Sequence, residues 1–165
     1  DIKPDNVLIG PYGEVLLLDW GLAKVWHREA APASTENNLP DLNIGVAMTS
    51  AGKLQGSVMY MSPEQIDREP DIDSRSDIYS LGAVMYEALA GRTPFTGQVV
   101  RKILEDVRDK VPDVPSHFGN LEVPKVLSEL TMSCLSKNPN DRPGSAEEVI
   151  RVIQHNWASS QLQAR

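Results

Sequence analysis

Residues 1–26 read DIKPDNVLIGPYGEVLLLDWGLAKVW, and the reading of the fold starts from them. Two short apolar runs, VLI at 7–9 and VLLL at 15–18, flank GPYG, a strong turn signal. The pattern predicts a hairpin of two short strands, Val7 to Ile9 and Val15 to Leu18. Asp1, Lys3 and Asn6 lie in the loop just before the first strand, and Asp19 closes the second. A hairpin brings its two ends together, so Asp19 is expected beside the loop of Asp1 to Asn6.

Beyond Trp26 the texture changes. The stretch HREAAPASTENNLPDLNIGVAMTSAGKLQ, residues 27–55, is rich in Ala, Pro, Ser, Asn and Gly without a sustained period, and it reads as a long loop. SPEQID at 62–67 predicts one helical turn with Pro63 early, where a missing N–H costs little. DSRSDIYSLGAVMYEALAGRTPF at 73–95 is the clearest helix, with Ser74 or Ser76 as cap, Gly91 as its end and Pro94 beyond. Ile78, Leu81, Val84, Met85, Ala88 and Leu89 wrap most of its circumference, which suits a helix in the middle of a core. Three weaker helices are expected: Gln98 to Arg108, near Pro124 to Ser136, and one starting at Ser145. There the S-x-x-E pattern of Ser145 and Glu148 forms a capping box. The expected fold is mainly α, a helical subdomain with a small β-hairpin at its head.

Composition narrows the class. The chain has 165 residues, 41% hydrophobic and 24% charged, enough for one domain with a substantial core. A net charge of −7 with scattered Lys and Arg argues against a nucleic-acid footprint. No apolar run approaches the length of a membrane span, and no signal-peptide pattern is seen. Cys134 is the only cysteine, which excludes an internal disulfide and fits a buried structural thiol. His27, His117 and His155 are far apart and form no zinc pattern.

The cluster of Asp1, Lys3, Asn6 and Asp19 holds two carboxylates, an amide oxygen and an ammonium. Phosphoryl transfer needs this set: a carboxylate to orient a hydroxyl and accept its proton, hard oxygen ligands for Mg²⁺, and a cation for phosphoryl oxygens. Taken alone, DIKPDN reads equally well as a solvated turn with an Asx cap.

It does not stand alone. D-x-x-x-x-N from Asp1 to Asn6, then a strand leading into DWG at 19–21, then SPE at 62–64, is the motif order of a protein-kinase catalytic lobe. Over nearly its whole length the chain resembles the eukaryotic-like (Hanks-type) Ser/Thr protein kinases. Lys3, two residues after Asp1, is similar to the Ser/Thr rather than the tyrosine class, and DWG and YMSPEQ are similar to bacterial variants.

The resemblance implies the following. Asp1 is the catalytic base, and Lys3 neutralises charge on the transferred phosphate of ATP. Asn6 and Asp19 hold Mg²⁺. Trp20 packs where the family has Phe, and Gly21 is the hinge. Residues 19–64 form the activation segment, with Thr49 and Ser50 as candidate phosphate acceptors, a role no better supported than that of plain loop hydroxyls. Ser57 would bridge Asp1 and Lys3, and Ser62 and Pro63 lead into Glu64, which pairs with Arg142 in a buried ion pair. Asp77 accepts hydrogen bonds from the catalytic-loop backbone.

The same resemblance implies a partial kinase domain over residues 1–157, with catalytic loop 1–6, activation segment 19–64, helical subdomain 65–157 and a tail at 158–165. It implies protein substrates bearing Ser or Thr and a small lobe with the Gly-rich loop that lies upstream of Asp1; the lone cysteine fits a cytoplasmic setting, with a membrane-anchored parent left open. Without that lobe the chain is expected to transfer little phosphate and to expose apolar surface near Val7, Leu8 and Trp20. A pseudokinase or scaffold acting by docking is the competing reading. It is disfavoured because Asp1, Lys3, Asn6 and Asp19 are all present. An aminoglycoside-type phosphotransferase ranks below it, since it would lack SPE and the long segment.

Overall fold

The computed structural model describes residues 1–20 and 58–163, with side chains through Asn156. A 3₁₀ turn at Pro4–Asn6 leads into β1 (Val7–Ile9), which pairs antiparallel with β2 (Val15–Leu17). The register is Val7 with Leu17, Leu8 with Leu16 and Ile9 with Val15. Gly13, at φ 86°, supplies the left-handed residue the turn requires. The strand stops one residue short of the expected Leu18, whose N–H instead donates to Asn6 O at 2.8 Å.

A second 3₁₀ turn, Val58–Tyr60, precedes α1 (Pro63–Asp67). α1 carries a full capping box, the Ser62 side chain accepting from Gln65 N and the Gln65 side chain accepting from Ser62 N. The central helix is α2 (Arg75–Ala90), ended by Gly91 at φ 69°. Neither serine proposed as its cap makes that bond. Asp73 accepts from Arg75 N at 2.9 Å instead, while the Ser76 hydroxyl is drawn to Glu64. A carboxylate at the helix start competes better for a free N–H than a hydroxyl with another partner.

α3 (Val100–Asp109) and α4 (Lys125–Cys134) follow, then α5 (Ala146–Gln163). At the start of α5 the Ser145 hydroxyl accepts from Glu148 N, but the Glu148 carboxylate takes the Gly144 N–H at 2.8 Å rather than closing the box on Ser145.

The sequence predicts one hairpin, and the described residues hold two. β3 (His117–Phe118) pairs antiparallel with β4 (Leu121–Glu122) across Gly119 and Asn120, with Gly119 at φ 59°. Gly-Asn is a two-residue hairpin signal, but strands of two residues are too short for any alternation to register.

α2 is the centre of the molecule. One buried cluster gathers Tyr79, Ala83 and Tyr86 with Ile103, Val107 and Leu135, and a second joins Ile78 to Leu130, Cys134 and Val149. Gly82 allows α2 and α4 their close approach: a Cβ there would lie 2.6 Å from Cys134 Cβ. Cys134 is a free, fully buried thiol, and burial pushes it up to about 11 despite the nearby Arg142 charge and a backbone hydrogen bond. Among the described residues no helix is long and apolar enough to cross a membrane.

Candidate functional site

The hairpin gathers the charged loop at its open end. Lys3 Nζ meets Asp1 Oδ2 at 2.5 Å. Asn6 is buried, and its Nδ2 donates to Asp1 O at 2.8 Å, so the amide nitrogen is committed to the loop and Oδ1 remains as its acceptor. The Asn6 N–H closes the 3₁₀ turn onto Lys3 O. The bond from Leu18 N to Asn6 O then ties the end of β2 to the same turn, setting Asp19 next in the chain. Asp19 adopts φ 60°, in the left-handed region. Carboxylates and Asn tolerate that conformation better than most side chains, and strain of this kind concentrates at functional positions.

Trp20 lies open, 68% exposed, with its indole N–H donating to Leu17 O at 2.8 Å. The faces of the hairpin carry Leu8, Ile9, Val15 and Leu16, all exposed. Gly21, Thr49, Ser50 and Ser57 lie outside the described residues.

A second assembly stands around Glu64. Arg142 Nη1 and Nη2 reach Glu64 Oε1 and Oε2 at 2.6 and 2.9 Å, a two-pronged pair buried at both ends. Ser76 Oγ donates to the same carboxylate at 2.5 Å. The remaining guanidinium donors go to the carbonyls of Ser136, Arg75 and Lys137. Burial alone would raise the Glu64 carboxyl. The hydrogen bonds from Arg142 and Ser76, one from the backbone, and the Arg142 charge outweigh it and hold the group at about 2.

Asp77 is exposed as a residue and accepts no hydrogen bond among the described residues. Crowding by the protein raises its carboxyl.

Two further contacts were not read from the sequence. Tyr60 Oη donates to Glu87 at 2.5 Å, and burial followed by that bond and charge raises the phenol. Ser80 Oγ donates to Tyr60 O at 2.8 Å. Ser76 and Ser80 stand four residues apart on α2, a spacing that was legible as one polar stripe on an otherwise apolar helix. Their targets, 12 and 20 residues earlier, were not legible.

The arrangement supplies a carboxylate–ammonium pair, a buried amide held through its nitrogen and, next after β2, a further exposed carboxylate. A separate buried ion pair holds residues 58–67 to the helices. Hard oxygens of this kind suit Mg²⁺, and with its nitrogen bound to Asp1 O the Asn6 amide keeps Oδ1 as its acceptor.

A protein-family model described as the protein kinase domain matches residues 1–158. Among curated proteins the chain is 38% identical over 156 residues to the serine/threonine-protein kinase PknD of Protochlamydia amoebophila, covering 94% of this chain and 16% of that protein. It is 38% identical over 147 residues to PknL of Mycobacterium tuberculosis, covering 88% of this chain and 32% of the relative. It is also 33% identical over 163 residues to PknD of Chlamydia trachomatis, covering 93% and 17%. The chain thus spans a third or less of the length of these relatives.

Proposed function

The chain belongs to the protein kinase domain family, and on that premise we propose that it is the catalytic-lobe part of a serine/threonine protein kinase, residues 1–157, followed by a tail. The parent would transfer the γ-phosphoryl group of ATP to Ser or Thr hydroxyls of proteins. The observation that carries this reading is the loop of residues 1–6: Asp1 paired with Lys3, and Asn6 buried against Asp1 O and tied to the end of β2.

In that role Asp1 receives the proton of the substrate hydroxyl as its oxygen bonds to the γ-phosphorus and the bond to the leaving diphosphate breaks. Lys3, already within reach of Asp1, presents its positive charge to the transferred group. Asn6 and Asp19 would hold Mg²⁺, which when bound neutralises phosphate charge. The pairing of Glu64 with Arg142 holds residues 62–67 against the helices, and by the family resemblance the segment that ends there would seat the substrate peptide. The exposed apolar faces of the hairpin support an upstream nucleotide-binding lobe as their cover, and the setting proposed is the cytoplasm.

The reading is tested in the parent kinase domain, with phosphate incorporation from ATP–Mg into a Ser/Thr-containing protein as the readout. Asp19→Asn should remove transfer while the protein stays folded. Transfer undiminished in that variant would contradict the assignment, and a parent with no transfer at all would favour the docking-module reading. The chain of 165 residues alone should transfer little or nothing.

A further inference from the structure

Ser76, Ser80 and Glu87 lie on one line of α2. At 3.6 residues per turn, positions 76, 80 and 87 fall within about 40° of one another around the helix. Ser76 Oγ donates to Glu64 at 2.5 Å, Ser80 Oγ donates to Tyr60 O at 2.8 Å, and Glu87 accepts from Tyr60 Oη at 2.5 Å. All three contacts fall on residues 60–64. Tyr60 meets Ser80 and Glu64 meets Ser76, so this segment runs opposite to α2. Ala83, on the same line, is fully buried in the cluster that also holds Val58 and Tyr60.

Each contact has a definite donor. The buried Ser80 hydroxyl has one proton and two acceptors in reach, Tyr60 O at 2.8 Å and Ser76 O at 3.2 Å, and the shorter contact takes it. Burial, then the bond to Glu87 and its charge, then the charge of Asp5 in the loop of residues 1–6, raise the Tyr60 phenol, so it remains a donor. Its acceptor is a carboxylate, which makes the bond stronger than one between neutral groups. Among the described residues no cation pairs with Glu87, and the phenol is its one side-chain partner.

Arg142 holds the other end of the segment. Its contacts there are the two Glu64 oxygens, so the polar contacts that fix Tyr60 come from Ser80 and Glu87 alone.

We propose that Ser80 and Glu87 are positioning residues: with Ser76 they form a polar seam along α2 that fixes residues 60–64, and through them the seat of the protein substrate. The consequence for substrate rests on the proposed kinase function, and the seam itself does not.

Hydrogen exchange at the amides of residues 60–62 and 64, corrected for the intrinsic rate, tests the seam in the chain itself. Ser80→Ala and Glu87→Met should each raise opening there by about tenfold. Glu87→Gln keeps an acceptor for the phenol and should restore most of the protection. Tyr60→Phe removes the same bond from the other side, so adding Glu87→Met to it should bring little further loss. In the parent kinase domain, Ser80→Ala and Glu87→Met should raise KM for the protein substrate by about fivefold to tenfold, with KM for ATP unchanged. A variant that had only lost stability would show fewer active molecules, a lower kcat with both KM values in place.

Exchange that stays at the wild-type level in Ser80→Ala and Glu87→Met overturns the seam. Raised exchange with an unmoved protein KM, in a parent that transfers phosphate, overturns the positioning role. Glu87 is only partly buried, so its variants decide the matter even where Ser80→Ala fails to fold. A parent that transfers nothing while exchange rises as expected upholds the seam and contradicts the kinase function, so the two failures give different results.

Discussion

Two ion pairs show how differently this chain treats its charges. In the loop of residues 1–6, the side chains of Lys3 and Asp1 keep 15% and 26% of their surface in water. At the junction of α1 with the chain after α4, Arg142 and Glu64 keep 0% and 6%. The partly exposed pair is more open to screening by solvent and contributes less to stability than the buried one. The buried pair has every guanidinium nitrogen committed and a hydroxyl on its carboxylate. Its net stabilising effect is small after desolvation, but losing one partner strands a charge in the core. The chemistry proposed for the chain thus lies on the pair that folding needs least.

Removing Arg142 should open the widest gap between the two regions. Arg142→Ala is expected to destabilise the chain by about 3–5 kcal/mol, read as a fall in the denaturant midpoint. A loss below about 1 kcal/mol would mean the junction is no anchor. Gly82→Ala comes next, since its Cβ would meet Cys134 Cβ at 2.6 Å and force α2 from α4; overpacking of this kind costs about 1–3 kcal/mol.

Acid acts on the same junction. The Glu64 carboxyl sits at about 2 in the fold against an ordinary 4.5, so its contribution is complete above about 4.5 and is lost as pH falls towards 2. Stability measured from pH 6 to 3 should drop more steeply in the wild type than in Glu64→Gln, and equal slopes would remove this explanation. The smallest effect is expected on the hairpin. Leu16→Lys, on an exposed position, should move the midpoint by no more than about 0.5 kcal/mol and should improve solubility. A large loss would show that the hairpin carries more of the fold than its exposure indicates.

The sequence was most readable where periodicity ran long or turn chemistry was strong. GPYG between apolar runs located the first hairpin, and the apolar circumference of residues 75–90 located the central helix. SPEQID with its early Pro63 located α1, although the capping box of Ser62 and Gln65 was not read from it. Legibility failed where the outcome depended on which of several partners wins. Ser74 and Ser76 were reasonable caps, yet Asp73 takes the N–H and Ser76 goes to Glu64, a residue 12 positions earlier. The two-residue strands at 117–118 and 121–122 were too short to leave a pattern.

At the candidate site, the meeting of the Asp1–Asn6 loop with the end of β2 follows from the hairpin alone. The orientation of the Asn6 amide depends on a bond to Asp1 O that no spacing specifies. Ser80 and Glu87 gave no signal of their common target, because Tyr60 lies 20 and 27 residues before them.

The separation of chemistry from anchorage is tested most directly by Asp1→Asn in the parent kinase domain, with phosphate transfer and unfolding midpoint measured on the same sample. The account predicts that transfer falls by about a hundredfold to ten-thousandfold, the usual contribution of a positioned base, while the midpoint stays where it was. Transfer that survives the substitution, or a midpoint that collapses with it, would contradict the claim that the exposed loop is the reactive part and the buried junction the structural one.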